Sequence, residues 1–558
     1  MSGASVLQAA LAGPVVAGIA WLALVRLPLL RRSVAGALAL GANAAAWTLF
    51  WFIYRGDIVV WRSFQPELLG ATILAIAEIP LILAALRADP IPDGGNAPTI
   101  AGLAVSASAI AAISYAGSLA VVALALAVPT IAASSAALSG KGRSAARGLI
   151  GLAAADAIAL VGLSLVYART GSIFVGPAGG IGPGLILVAA LIKGGAIPGL
   201  ATWRLSATEG PGAWLDVALR GQAVALAAIA ALEMSGSATS SSLAIAAAVA
   251  IAACAVSSLF SRSAGSSLAG VSGAGIGVCF FALGLAGAVG SRAFLLLFPA
   301  FLLASGLVTF LGRANVIERG EKGGAGPWGW LAAGALGVGL ASLLGLPPGG
   351  GFPGTWLTLS LAVSRSEAAL GWLLAAGVVG AGVTVAMAGS IPLLVAVRAR
   401  AWQATTGSVI AIALLYLGTQ PIRIAIGWWV RVETQLALPE VLPTAGAPGL
   451  PAIGGLRLLL SLAPALLLVG AAIAIGRGWR DVSPAFAPTT SAGQKRPARF
   501  QRLNKALSSV ATTVRPLKEY AARARALGAG FGIAAVLELA ALLMVGRIVL
   551  LSARAGFL

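Results

Sequence analysis

Long apolar runs separated by short polar turns fill this chain, and that pattern leaves few folds open. About 20 predominantly apolar residues are what a helix needs to cross the hydrocarbon core of a bilayer. Windows of that length give about sixteen spans, with cores near 5–30, 33–53, 68–86, 98–115, 117–138, 147–167, 183–203, 213–233, 241–260, 264–288, 293–312, 327–363, 368–396, 406–428, 452–475 and 528–551. Of the 558 residues 59% are hydrophobic and 10% charged, which excludes a soluble globular domain. The expected fold class is an all-α polytopic membrane protein. The first run has no basic segment before it and is long enough to span, so it does not read as a cleavable signal peptide.

The loop charges orient the spans. With the N-terminus outside, the cytoplasmic loops carry Arg31, Arg32, Arg87, Lys141, Arg143, Arg204, Arg262, Arg313, Arg319, Lys322, Arg398, Arg400, Arg477 and Arg480. The opposite loops carry fewer, several of them beside acids: Arg55 and Arg62 near Asp57 and Glu67, Arg365 near Glu367, Arg431 near Glu433. Positive loops stay inside. An even number of spans with both termini outside is therefore expected, in a bacterial or archaeal-type inner membrane. The net charge of +20 follows from this bias and from contact with anionic headgroups, and nucleic acid is not an expected partner.

Composition also removes chemistry. Histidine is absent, which excludes His-ligated haem, a His relay and most zinc sites. Two cysteines, Cys254 and Cys279, are too few for an iron–sulfur cluster, which takes about four thiolates. No phosphate-binding loop is present, because the Gly-rich runs at 178–183 and 349–351 lack the lysine that follows. The chain is expected to hold no catalytic centre, metal or cofactor of its own.

The most informative span is broken. Leu191-Ile-Lys-Gly-Gly-Ala-Ile-Pro-Gly-Leu-Ala-Thr-Trp203 places Lys193 in an apolar run and interrupts the helix with Gly194, Gly195 and Pro198. A charge at bilayer depth is costly and marks function by default, and the broken helix frees backbone groups that only protein or water can satisfy. Lys193 is expected to line an ion path; a snorkelling lysine is the alternative. Asp156 lies mid-span with no local partner, and Lys193 of the next span is its expected one; a neutral Asp156 bonded to a carbonyl is the alternative. Asp216 and Arg220, four apart, share a helix face and form either a self-neutralising pair or an extension of the path. Glu78, Arg457, Glu538 and Arg547 are further charges in spans, with no catalytic role expected of them.

A second broken span follows at 327–363, where Pro347 and Pro348 stand in Leu346-Pro-Pro-Gly-Gly-Gly-Phe352. Paired interrupted segments point to an internal repeat. The expected organisation is N-terminal helices over 1–97, a first repeat over 98–240, an inverted second repeat over 241–400 and further spans over 401–484. Residues 485–527 follow, rich in Lys and Arg with Phe500, Leu503, Leu507, Val510, Val514 and Leu517 at helical spacing, and they read as an amphipathic helix along the cytoplasmic interface or as a solvated basic linker. A terminal anchor helix over 528–558 closes the chain.

These motifs resemble a family. Lys193, Pro198, Trp203-x-Leu205 and Gly210-Pro211 are similar to the broken seventh helix of the antiporter-like, proton-conducting membrane subunits of complex I, group 4 hydrogenases, Mrp antiporters and two-component inorganic-carbon uptake systems. Arg147 with Asp156, Ala304-Ser-Gly306 and Leu346-Pro-Pro-Gly-Gly-Gly-Phe352 resemble the sixth-, eleventh- and twelfth-helix motifs, and 495–551 resembles the lateral helix and anchor of the distal complex I subunit. The resemblance implies a non-catalytic subunit of a redox-driven proton-translocating complex, with redox cofactors in partner membrane and peripheral subunits. Alternatives are the membrane half of a bicarbonate or CO2 uptake complex with a soluble zinc partner, or a structural scaffold. The sequence departs from the family at four places: no acid in Ala123–Thr130, Leu219 for the eighth-helix histidine, Phe298 for the eleventh-helix lysine and Thr355 for the twelfth-helix Lys or Glu. The implied proton path, Lys193, Asp156, Asp216 and Arg220, is thus a partial one in the first half.

Overall fold

The computed structural model describes residues 3–24, 28–59, 64, 68–79, 81–82, 97–139, 143–198, 212–234, 240–259, 264–285, 287–312, 327–346, 349–365, 370–396 and 401–417. These residues form fifteen α-helices and no strand. In chain order they are α1 (Gly3–Ala23), α2 (Pro28–Tyr54), α3 (Leu68–Ala77), α4 (Ala97–Ser114), α5 (Leu119–Ser139), α6 (Arg143–Thr170), α7 (Ile181–Lys193) and α8 (Gly212–Ala228). A π-helical turn, Ile229–Met234, extends α8. Then come α9 (Ser240–Leu259), α10 (Ala264–Gly284), α11 (Gly287–Gly312), α12 (Pro327–Leu344), α13 (Phe352–Arg365), α14 (Gly371–Ala396) and α15 (Ala401–Leu417). The last two expected spans, the basic segment and the anchor lie outside the described residues.

Seven of the described helices are long and apolar enough to cross a membrane. The helices flanking the breaks are shorter. α7 has 13 residues, about 20 Å at 1.5 Å per residue, against a hydrocarbon core of about 30 Å. The run expected as one broken span at 327–363 is two helices, α12 and α13. At the end of α2, Trp51 stacks on Tyr54 at 5.5 Å and the Arg55 guanidinium lies 4.9 Å from the Trp51 ring centroid. Aromatic and basic residues together suit a membrane–water interface.

Apolar burial does not drive helices together in lipid as it does in water; close van der Waals packing and interhelical hydrogen bonds do. The core is accordingly built from alanine and glycine with Leu, Ile and Phe between them. α8 is its axis. It packs against α3, α4, α5, α7 and α11, and its residues from Val217 to Ala230 are buried all round. A helix buried on every face offers no exit for a polar side chain. Arg220 and Gln222, the two polar residues of that stretch, must therefore find partners inside the protein.

Candidate functional site

The site is built at the end of α7. The Ala196 amide donates to the Leu191 carbonyl at 3.1 Å and the Gly195 amide to Ile192 at 3.1 Å. That pair of bonds is a Schellman termination, which requires a left-handed residue after the helix. Gly195 supplies it with φ 76°. The helix thus ends at Lys193, five residues before Pro198, and glycine rather than Pro198 stops it. The unwound strand is held by the Cys254 thiol, which donates to the Ala196 carbonyl at 3.1 Å. A Cβ on Gly273 of α10 would stand 2.5 Å from the Gly195 carbonyl oxygen, so only glycine there lets the break seat so closely.

Lys193 lies in the last turn of α7, where the partial negative charge of the helix end favours a cation. It is fully buried. Its ammonium forms an ion pair with Asp156 Oδ1 of α6, donates to Gln222 Oε1 of α8 at 2.7 Å and donates to the Leu126 carbonyl of α5 at 2.8 Å. Three N–H donors meet three acceptors. The second carboxylate oxygen of Asp156 accepts from Thr130 Oγ1 at 2.5 Å. Snorkelling is ruled out, because the head group is at 0% exposure and saturated.

Pro129 explains why α5 has the Ala125 carbonyl to give. It lies inside the helix, and its missing N–H leaves the Ala125 carbonyl without an intrahelical donor. The Gln222 amide donates there at 3.3 Å and to Leu126 at 2.9 Å. Where the family carries a glutamate in this helix, the chain offers backbone dipoles and a hydroxyl, and the negative charge comes from α6.

Gln222 and Arg220 divide α8 between two neighbours. Gln222 faces α5 and α7, whereas Arg220 donates from Nη1 to Ser305 Oγ of α11 at 3.2 Å. Arg220 therefore reaches the second half of the chain. Asp216 belongs to α8, but its side chain, and with it the expected Asp216–Arg220 contact, lies outside the described residues.

The second break repeats the first in its backbone. Leu346 donates to Ala341 at 2.8 Å, Gly345 donates to Ser342 at 3.2 Å, and Gly345 has φ 68°. Pro347 and Pro348 lie outside the described residues. Counting back from each left-handed glycine, Lys193 is two before Gly195 and Leu343 two before Gly345. The same helix end that carries the cation in α7 carries a leucine in α12, itself buried. The Phe298 ring lies 5.4 Å from that of Phe294, tilted by 31°, and Thr355 Oγ1 is buried with no partner among the described residues. Among the described residues from 240 to 417, every buried polar side chain is a serine or threonine, apart from the thiols of Cys254 and Cys279.

Sequence reading missed Gln222, Thr130 and the Leu126 carbonyl. The signals were a lone glutamine in an apolar span and a proline one residue before a threonine. Neither carries a charge, and charge was the property that made Lys193 and Asp156 stand out. Leu219, close to where the resemblance would put a histidine, is a buried core residue.

No protein-family model and no curated protein sequence matches the chain. Solved structures do. A chain of respiratory complex I from Thermus thermophilus with bound aureothin is similar at 20% identity and TM-score 0.59, over 75% of this chain and 98% of that one. A chain of the membrane-bound sulfane sulfur reductase, an archaeal respiratory membrane complex, is similar at 16% identity and TM-score 0.63, over 91% and 100%. A chain of the Mrp complex from Dietzia sp. DQ12-45-1b is similar at 16% identity and TM-score 0.69, over 91% of this chain and 60% of that one. These likenesses are consistent with the antiporter-like membrane subunits that the motifs resemble. At such identities the property shared is the fold, that of a multi-pass membrane subunit found in hetero-oligomeric complexes.

Proposed function

We propose that the chain is the membrane subunit of a multi-subunit, redox-driven proton-translocating complex, and that it carries a proton-loading site in its first half only. The observation that carries this reading is the buried ion pair of Lys193 and Asp156, closed by Gln222 and the Leu126 carbonyl at a helix break. An ion pair in low dielectric is held by geometry, so a proton or charge arriving nearby shifts it between a paired and a parted state. Lys193 takes and returns the proton, Asp156 holds its charge, and Gln222 and Thr130 position the two. Arg220, bonded to Ser305, sets the electrostatic boundary with the second half, and Asp216 extends the path toward the membrane surface.

The second half is read as a brace without a relay, because a hydrogen-bonded proton chain needs polar groups or water at each step and hydroxyls alone are spread along it. In this reading the chain has sixteen spans with both termini outside, the repeats run over 98–240 and 241–400, and 485–527 lies along the cytoplasmic surface before the 528–558 anchor. Redox cofactors belong to partner subunits. The test is the native complex carrying Lys193→Ala: redox turnover and assembly are expected to persist while protons moved per turnover fall by half or more. Unchanged coupling would refute the loading site. Co-purification with a soluble zinc subunit and no redox chain would replace the parent complex with an inorganic-carbon uptake system.

A further inference from the structure

Glu78 is a second buried acid, and the Lys193 site does not use it. It follows α3, at 1% exposure. Its backbone carbonyl accepts from Leu81 at 3.0 Å and from Ile82 at 3.2 Å, which fixes the turn. The Asn43 amide of α2 anchors to the Ala75 carbonyl at 2.6 Å and also donates to Glu78 Oε2 at 3.4 Å. Oε1 has no partner among the described residues. Nor has the hydroxyl of Tyr115, at 0% exposure and close enough to Glu78 to interact with it electrostatically.

The surroundings are organised around these atoms. α3 runs antiparallel to α4: Gly70 lies against Ser114 and Tyr115, while Ala77 and Ile110 both border Gly221. The hydroxyls of Ser106, Ser108 and Ser114 are buried and also lack a partner among the described residues. Glu78 Oε1 and the Tyr115 hydroxyl, two buried polar groups without a partner among the described residues, mark a place that water satisfies. α3 is packed by α2, α4, α8 and α11. From these, Tyr115 interacts with the acid electrostatically, Arg220 donates to Ser305, Tyr54 stacks at the far end of α2, and the described side chains of α11 include no titratable group. No cation is aimed at Glu78 among the described residues.

We propose that Glu78 is a second proton-binding site of this chain, a carboxyl that takes up and releases a proton at Oε1 in a hydrated pocket walled by Asn43 and Tyr115. In the neutral acid Oε2 is the carbonyl oxygen that accepts from Asn43, and Oε1 bears the hydrogen. On release the proton passes to pocket water, and that water hydrates the vacated Oε1. The pocket borders the turn of α8 that carries Arg220 and Gln222, since Ala77 packs on Gly221 between them. It is thus separated from the Lys193 pair by one helix, and its existence does not depend on the role given to that pair.

The test uses the full-length chain in lipid nanodiscs. Dicyclohexylcarbodiimide attacks protonated carboxyls in apolar surroundings, so mass spectrometry should find Glu78 modified and Asp156, ionised beside Lys193, unmodified. Labelling should fall as pH rises, and a carboxylic C=O infrared band should fade over the same range and be missing from Glu78→Gln. The pH series on the native sequence stands even if that variant fails to fold. A band unchanged with pH would make Glu78 a permanently neutral structural acid and overturn the proposal. So would the absence of both label and band, and so would protection by sodium at fixed pH, which would make this a cation site.

Discussion

At the residue scale, Lys193 and Asp156 are held by each other's charge and by a saturated set of hydrogen bonds. Removing one partner of a buried pair leaves an uncompensated charge, which costs about 3–5 kcal/mol, whereas replacing both by apolar residues of similar size is often near neutral. Lys193→Met and Asp156→Leu are each expected to lower the melting temperature of the purified chain, with the double variant recovering most of the loss. The check is a thermal unfolding series in one detergent. Additive losses in the double variant would mean that the two side chains do not depend on each other.

At the element scale, two helices end in the same backbone motif and differ in the side chain they present. The seat of the first break depends on close approach. A Cβ on Gly273 meets the Gly195 carbonyl, and one on Gly194 would stand against Ile276 and Ala223. Gly273→Val must push the break away from α10, and overpacking of this kind costs about 1–3 kcal/mol. It should also disturb the Cys254 bond to Ala196. The variant is expected to be less stable and to leave Cys254 more reactive toward a membrane-permeant maleimide than in the parent chain. Equal reactivity would show that the break does not rest on α10.

At the scale of the whole molecule, the asymmetry of the halves is the main result. Charge and amide groups converge in α5, α6, α7 and α8, while the described part of the second half buries hydroxyls and thiols alone. Arg220 is one contact that joins them, through Ser305, and the Cys254 bond to Ala196 is another. If the second half is a brace, Thr355→Val should leave proton coupling of the parent complex within about twofold of the parent, a difference of less than about 0.5 kcal/mol, as read by proton uptake per redox turnover. A large loss would mean that Thr355 and water carry a rewired path.

The sequence by itself determined the membrane class, the mostly helical fold, the presence of two breaks and the pairing of Lys193 with Asp156. Each of these rests on a property that survives without coordinates: apolar length, Gly and Pro punctuation, and the cost of a charge in lipid. The tertiary structure decided what Lys193 touches. The Leu126 carbonyl has no side-chain identity to be seen in a sequence, Gln222 is neutral, and both come from helices far away along the chain. It also decided that glycine, with its freedom at positive φ, ends α7 before Pro198 is reached, and that Arg220 reaches Ser305. The direction in which a side chain points from a helix buried on all sides is set by its neighbours, and only packing reveals them.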